Sequence, residues 1–235
     1  MKKKYILIIL SIFNISLTDC FMINMNINKY KLINKNINIK KNMNYIKLTR
    51  PEGLLYEIML PLSGGYIIKK NISIFTNYEI ILVALLSGLI ASYNMVINDY
   101  FDYKNGTDKL KKNKILNQKK LNPEEVLIFS KILLLISFVL INLINNNLIR
   151  QLLSLSIIVS YIYTPLLKKI ILIKNISVAL IICLSFILGG VITDINKINE
   201  LISPCIYLFF YIMWRELLLD ILDKTGDEKN KIITI

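Results

Sequence analysis

Two stretches of the 235-residue chain place carboxylates where long apolar runs end. In the first, NMVINDYFDYKNGTDKLKKNKILNQKK, an apolar run of membrane length stops at Asn98, Asp99, Asp102 and Asp108 and gives way to a thicket of lysines ending at Lys120. In the second, WRELLLDILDKTGDEKNK, Glu216, Asp220, Asp223 and Asp227 repeat the arrangement and again lead into lysines. A charged side chain at the centre of a bilayer costs about 3 kcal/mol on insertion scales, so ionisable residues on such helices are read first as functional groups facing a protein interior or a wet cavity. At about 100° per residue, Asn98 and Asp102 lie one turn apart on one helix face. Gly106 should break the helix and let Asp108 fold back toward them. The second set has spacings of four, three and four, so a helix continuing to Asp227 carries all its acids in one stripe.

Like charges on one face repel, and in a low dielectric they take up protons unless cations compensate them. Carboxylate oxygens without His or Cys suit a hard cation, and Mg²⁺ commonly takes one or two carboxylates together with substrate phosphate oxygens. The chemistry favoured is a diphosphate held by Mg²⁺ between two acidic walls, with lysine or arginine neutralising the remaining charge. Such a site stabilises departing pyrophosphate and so promotes ionisation of an allylic carbon–oxygen bond.

The elements that must position these groups are membrane helices. Hydrophobic residues make up 54% of the chain and the mean hydropathy is +0.53, with the apolar residues in blocks rather than stripes. The expectation is an all-α polytopic transmembrane helical bundle. About six spanning blocks are legible, from Leu54 to Ile68, Tyr78 to Ile97, Val126 to Ile144, Leu148 to Leu167, Ile176 to Thr193 and Pro204 to Leu222. Pro61, Ser63, Gly64 and Gly65 in the first block, and Gly189 with Gly190 in the fifth, are small enough to let helices approach closely. With six alternating helices, Lys109, Lys111, Lys112, Lys114, Lys119, Lys120, Lys168, Lys169, Lys174, Lys224, Lys229 and Lys231 share one side. Lys69, Lys70, Arg150 and Lys197 lie on the other. Both acidic stretches fall on the basic side.

The net charge of +13 does not come with an aromatic-interleaved basic patch or a nucleic-acid motif, so the lysines read as topology signals and no nucleic-acid partner is expected. Three scattered cysteines, Cys20, Cys183 and Cys205, and the absence of histidine argue against a disulfide framework, a zinc site and a histidine base. Residues 1–20 open with Lys2, Lys3 and Lys4 before a short apolar run and read as a signal peptide or signal anchor. Residues 21–49 are lysine-rich and free of Asp and Glu, as organellar transit segments are. Together they read as a bipartite leader directing a multi-pass protein through the secretory pathway to a plastid-type organelle membrane, with the endoplasmic reticulum or another endomembrane as the alternative.

The motifs N98-D-x-x-D102 with G106-x-D108, and D220-x-x-D223-x-x-x-D227, resemble the paired aspartate motifs of the UbiA superfamily of intramembrane polyprenyl transferases. Arg50-Pro51 opening the first helix, Tyr161-x-Tyr163-Thr-Pro165 with Lys168 and Lys169 ending the fourth, and the run into Gly189-Gly190 extend the likeness from about Arg50 to the end. The resemblance implies transfer of a polyprenyl group, geranylgeranyl among the candidates, from its diphosphate to a lipophilic acceptor, with Mg²⁺ required. By position, Asn98, Asp102, Asp220 and Asp223 would hold Mg²⁺ and diphosphate, with Asp99, Asp108 and Asp227 as additional ligands and Asp102 and Asp220 central to catalysis. Arg50, Lys109, Lys168 and Lys169 are candidates for gripping the diphosphate, each also suited to interface anchoring. Tyr163 could face the allylic cation, and Arg215 could pair with Glu216 or orient an acidic acceptor. The D102-x3-G106-x-D108 spacing looks like enzymes of menaquinone synthesis. By contrast, R215-E-x3-D-x-x-D-x3-D looks like archaeal-type geranylgeranylglyceryl enzymes and chlorophyll or tocopherol relatives. The acceptor, aromatic or glyceryl, and a place in quinone or prenyl-lipid synthesis therefore stay open.

Members of the superfamily have nine membrane helices, so residues 50–235 read as a C-terminally truncated transmembrane prenyltransferase domain. A non-catalytic protein of the same fold is one alternative. A transporter is another, though its acids would sit nearer mid-membrane. A CDP-alcohol phosphotransferase would need D-G-x-x-A-R, which neither acidic stretch contains. The sequence does not indicate an oligomeric state.

Overall fold

The computed structural model describes residues 41–109, 111–164, 167–170 and 172–229, with the side chains of 169 and 222–229 left aside. Six long α-helices carry the described part: α1 Pro51–Lys69, α2 Tyr78–Asn105, α3 Pro123–Ile141, α4 Asn147–Tyr163, α5 Ile173–Thr193 and α6 Ile202–Lys229. No strand occurs among the described residues. Each expected apolar block corresponds to one helix; α1, α2, α5 and α6 extend beyond their blocks into polar residues, whereas α3 ends at Ile141 and α4 at Tyr163, short of the expected Ile144 and Leu167. Proline stands at the N-terminus of α1 and α3, where its missing N–H costs nothing. Asn77 caps α2 by accepting from the Glu79 amide at 2.9 Å, and Asn146 caps α4 through the amides of Leu148 and Ile149. Gly106, at φ 77°, terminates α2 as its sequence position requires.

Three segments are long and apolar enough to cross a membrane by themselves: Tyr78–Asn105, Ile173–Thr193 and Ile195–Ile221. The other helices among the described residues are shorter, less apolar or more charged, and they pack against these. Contacts fix the directions. Gly65 of α1 lies at Ile80 of α2, and Gly88 of α2 lies at Ile58 and Leu54 of α1, so the two are antiparallel. The Tyr78 hydroxyl donates to the Leu143 carbonyl at 2.5 Å, joining the start of α2 to the end of α3. Asn94 donates to Ser160 Oγ at 3.0 Å, so α4 runs parallel to α2. Lys174 at the start of α5 meets Asp220 late in α6. All even-numbered helices therefore end, and all odd-numbered ones begin, at one end of the bundle, as the lysine asymmetry requires.

Helices α1 and α5 cross with backbone in contact. A Cβ at Gly64 would overlap the Phe186 carbonyl, and one at Gly189 would overlap the Pro61 carbonyl. The small residues read from the sequence as packing devices serve as such.

Residues 43–235 form one compact unit. Packing against the bundle begins before Arg50, where the Tyr45 ring meets Phe129 at a tilt, centroids 5.0 Å apart, and Leu48 is buried with Val96, Ile97, Leu116, Leu121 and Val126. That cluster also fixes the loop after α2, which carries Asp108. The leader expected over residues 1–20, and the transit-like segment as far as residue 40, lie outside the described residues, as does Pro165.

Candidate active site

Helices α2 and α6 have 28 residues each, the longest of the six. At 1.5 Å per residue each is about 42 Å long, against a hydrocarbon core of about 30 Å. In α2 the turns beyond the first 30 Å are those that bear Asn98, Asp99 and Asp102, whereas in α6 only Asp223 and Asp227 fall beyond that length and Glu216 and Asp220 lie within it.

The first motif divides between two helix faces. Asn98 donates Nδ2 to Asp102 Oδ2 at 3.0 Å, the one-turn relation expected. Lys168 donates to both Asn98 Oδ1, at 2.8 Å, and Asp102 Oδ1, at 2.5 Å. Asp99, about 100° around the helix from Asn98, points elsewhere. Its Oδ1 accepts from Arg50 Nη2 at 2.8 Å and from Lys114 at 2.6 Å. Asp108 does fold back after Gly106, but onto Asp99's group: Lys114 lies 3.5 Å from it and Lys111 3.4 Å. Asp99, Asp102 and Asp108 are all buried, at 8%, 9% and 4% exposure. Arg50 reaches Asp99 from a left-handed backbone conformation, φ 50°, immediately before Pro51.

In the second motif Asp220 accepts from Lys174 at 2.6 Å and from Asn175 Nδ2 at 3.0 Å. Arg215 pairs with Glu216 at 3.2 Å, one of the two arrangements expected for it. Asp223 and Asp227 belong to α6, as their spacing predicts, while their side chains, with that of Lys169, lie outside the described residues.

One connection joins the two motifs. The segment between α4 and α5 includes a short 3₁₀ turn, Leu167–Lys169, which delivers Lys168 to the first motif, and the first turn of α5 that follows delivers Lys174 to the second. Tyr163 is the last residue of α4 and so precedes the connection that carries Lys168. Lys109 is not brought into this group. Its exposed side chain lies across Gly106.

Among the described residues no three acidic side chains converge on one point. Each buried aspartate is instead held by an ammonium or guanidinium. The donor chemistry fits a hard cation: the Asn98 amide oxygen and the Asp102 carboxylate converge on the Lys168 ammonium, which stands where a metal ion bound by those oxygens would stand. Sequence reasoning missed Lys114, Lys174 and Asn175 as partners of the motif acids. Lysine and asparagine are so abundant in this chain that no single one stands out.

The comparisons with known proteins agree with this architecture. Residues 58–235 match the model of the UbiA prenyltransferase family, and the chain belongs to that family. It is 30% identical over 193 residues to the digeranylgeranylglyceryl phosphate synthase of Methanosphaera stadtmanae, covering 81% of this chain and 67% of that protein. To the synthase of the same name from Sulfurisphaera tokodaii it is 30% identical over 173 residues, covering 73% and 61%. The chain thus spans about two thirds of the length of the curated relatives it matches. A solved structure of a digeranylgeranylglyceryl phosphate synthase superposes with a TM-score of 0.64 at 26% identity, covering 83% of this chain and 68% of the other. A UbiA homologue from Archaeoglobus fulgidus, bound to DMAPP and Mg²⁺, superposes with a TM-score of 0.62 at 19% identity, covering 81% and 67%.

Proposed function

We propose that this chain catalyses Mg²⁺-dependent transfer of a polyprenyl group from its diphosphate to a glyceryl acceptor in the membrane. The observation that carries the reading is that the α4–α5 connection and the first turn of α5 give one lysine to each acidic motif, Lys168 to Asp102 and Lys174 to Asp220. The names of the relatives favour the glyceryl over the aromatic acceptor and geranylgeranyl as the prenyl group. The R215-E-x3-D pattern in the sequence agrees.

Asn98, Asp102 and Asp220, with Asp223 and Asp227 further along α6, would hold the metal. Magnesium, when bound, supplies positive charge to the diphosphate oxygens and to the leaving pyrophosphate. Lys168 and Lys174, which neutralise Asp102 and Asp220, would with the neighbouring Lys169 supply positive charge to the diphosphate were those carboxylates to hold Mg²⁺. Tyr163 presents an aromatic face at the point where the allylic carbon loses its leaving group, an interaction worth about 0.5–2 kcal/mol. Asp99, Asp108, Arg50 and Lys114 hold the α2 terminus and its following loop in position, with Asp99 and Asp108 as outer ligands. Lys109, whose exposed side chain lies across Gly106, would be an outlying cation of the site.

The test is incorporation of radiolabelled geranylgeranyl diphosphate into lipid by membranes containing this chain, offered glyceryl phosphate or quinone-ring acceptors, with and without Mg²⁺. Magnesium-dependent product with the glyceryl acceptor, lost in Asp102→Ala and Asp220→Ala, is expected. Product with the ring acceptor alone would overturn the acceptor assignment, and no product from folded protein would sink the activity. The leader is proposed to route the protein through the secretory pathway to a plastid-type membrane. A fluorescent fusion of residues 1–49 retained in the endoplasmic reticulum would contradict that.

A further inference from the structure

At the end of the bundle opposite the acidic motifs, the end of α1, the start of α2 and the end of α5 meet in one junction. A cavity of about 210 Å³ opens there, lined by Ile68, Lys69, Asn77, Thr193, Asp194 and Lys197. Asp194 follows Lys174 by 20 positions, which is about 30 Å along α5 at 1.5 Å per residue. The cavity and the candidate active site therefore face opposite sides of the membrane, and no role in the proposed reaction falls on these residues.

The walls are fixed by packing. A Cβ at Gly65 of α1 would meet Ile80 of α2, Thr193 of α5 and Ile74 of the 3₁₀ turn Ile72–Thr76. Ile68, Ile74 and Ile80 are buried. Lys197 belongs to the 3₁₀ helix Ile195–Leu201, whose Leu201 is buried in one cluster with Ile68. Lys70 pairs with Glu200 at 3.1 Å and so ties that 3₁₀ helix to the end of α1. The level is that of lipid headgroups: Tyr66, three residues before Lys69, stacks on Phe75 at 6.5 Å, and both rings are exposed, as interfacial aromatic residues are.

The charges on these walls do not neutralise one another. Among the described residues, neither the Lys69 nor the Lys197 ammonium has a hydrogen-bond or ion-pair partner. Asp194 Oδ1 accepts from the Asn196 amide at 3.1 Å and Asn77 Oδ1 from the Glu79 amide at 2.9 Å. The second Asp194 oxygen and the Asn77 Nδ2 hydrogens keep their bonding capacity. Two cations and a carboxylate thus line one cavity. A simple anion there faces Asp194, and a simple cation faces two lysines, whereas a ligand carrying both signs satisfies all three.

We infer that this cavity binds a phosphoethanolamine group, with the head of a membrane phospholipid as the source that its level in the membrane favours. The phosphate oxygens accept from Lys69, Lys197 and Asn77 Nδ2, and the ammonium donates to Asp194. A choline head has no N–H to give Asp194, and a glycerol head has no positive charge to offset it. The bound lipid ties α1, α2 and α5 together at the end remote from the acidic motifs. It does so whether or not the chain transfers prenyl groups.

The purified full-length chain in detergent is offered dioleoyl phosphatidylethanolamine, phosphatidylcholine or phosphatidylglycerol, and retained lipid is read by native mass spectrometry. The wild type should bind the ethanolamine lipid about tenfold more tightly than either of the others, as one charge-assisted hydrogen bond provides. Equal retention of all three overturns the proposal without recourse to a variant. Asp194→Asn should erase the preference, since asparagine still caps the 3₁₀ helix but carries no charge. Lys69→Met combined with Lys197→Met should weaken all three lipids by about tenfold or more. A preference that survives Asp194→Asn, or binding untouched by the paired lysine substitutions, overturns the assignment as well. Soluble O-phosphoethanolamine separates the sources: displacement of the lipid shows a site that also takes the free group, retention shows one that needs the acyl chains, and both keep the site.

Discussion

If Lys168 and Lys174 bind the diphosphate as proposed, their partners must change during a catalytic cycle. Each now satisfies a motif aspartate, Asp102 or Asp220, and each stands beside the position proposed for the diphosphate. In Lys174→Met the Asp220 carboxylate keeps Asn175 but loses its cation. If the ammonium passes to substrate, KM for the prenyl diphosphate should rise by about ten- to a hundredfold, the value of one charge-assisted hydrogen bond. Steady-state kinetics checks this, and an unchanged KM would leave Lys174 as a structural partner of Asp220 alone. Lys168 was visible in the sequence because a Tyr-x-Tyr-Thr-Pro pattern precedes it, whereas Lys174 has no such marker. Its pairing with a residue 46 positions away is a tertiary fact. The one-turn relation of Asn98 to Asp102 and the break at Gly106 were legible because both are local consequences of helix geometry. The partition of Asp99 and Asp108 onto a separate group was not, since it depends on where Arg50 and Lys114 arrive.

At the scale of elements, the crossing of α1 and α5 holds the site together from below. Helix α1 brings Arg50 to Asp99, and α5 brings Lys174 and Asn175 to Asp220. The crossing is close because Gly64 and Gly189 have no side chains at the contact. Gly64→Leu or Gly189→Leu must push carbonyl backbone aside, which is not relieved by a rotamer change, and each should destabilise the protein by about 1–3 kcal/mol or more. Gly53→Ala is the control, because nothing lies within 4 Å of a Cβ there. Thermal unfolding in detergent, followed by size-exclusion chromatography, measures the difference. Equal melting of the Gly64 and Gly53 variants would remove the crossing from the account. The helix positions themselves were readable from apolar block length. Their ends were not, because polar turns beyond the hydrocarbon, such as 98–105 of α2, carry no hydropathy signal.

For the whole molecule, the claim that matters most to function is that both acidic motifs share one side of the membrane. It depends on α3, α4 and α5 all crossing between the loop that bears Lys112 and the turn that bears Lys197. The weakest of the three is α4, with 17 residues and Arg150 near its start. At about 26 Å it falls slightly short of a hydrocarbon core of about 30 Å, so it crosses only if Arg150 extends to the interface and the bilayer thins locally. Single cysteines at Lys112, Asn142 and Lys197, each exposed, in a background with Cys20, Cys183 and Cys205 replaced, decide the matter. With a membrane-impermeant maleimide applied to sealed vesicles, Lys112→Cys should react from one side, and Asn142→Cys and Lys197→Cys from the other. Reaction of Asn142→Cys from the Lys112 side would make α3 a re-entrant segment. Reaction of Lys197→Cys from that side would put an even number of crossings between Lys112 and Lys197 and so, with α6, an odd number between the two motifs, breaking the parity that joins Asp102 to Asp220. The expected pattern requires a common acidic and basic mouth, open to charged diphosphate from one compartment and to an isoprenoid chain from the bilayer.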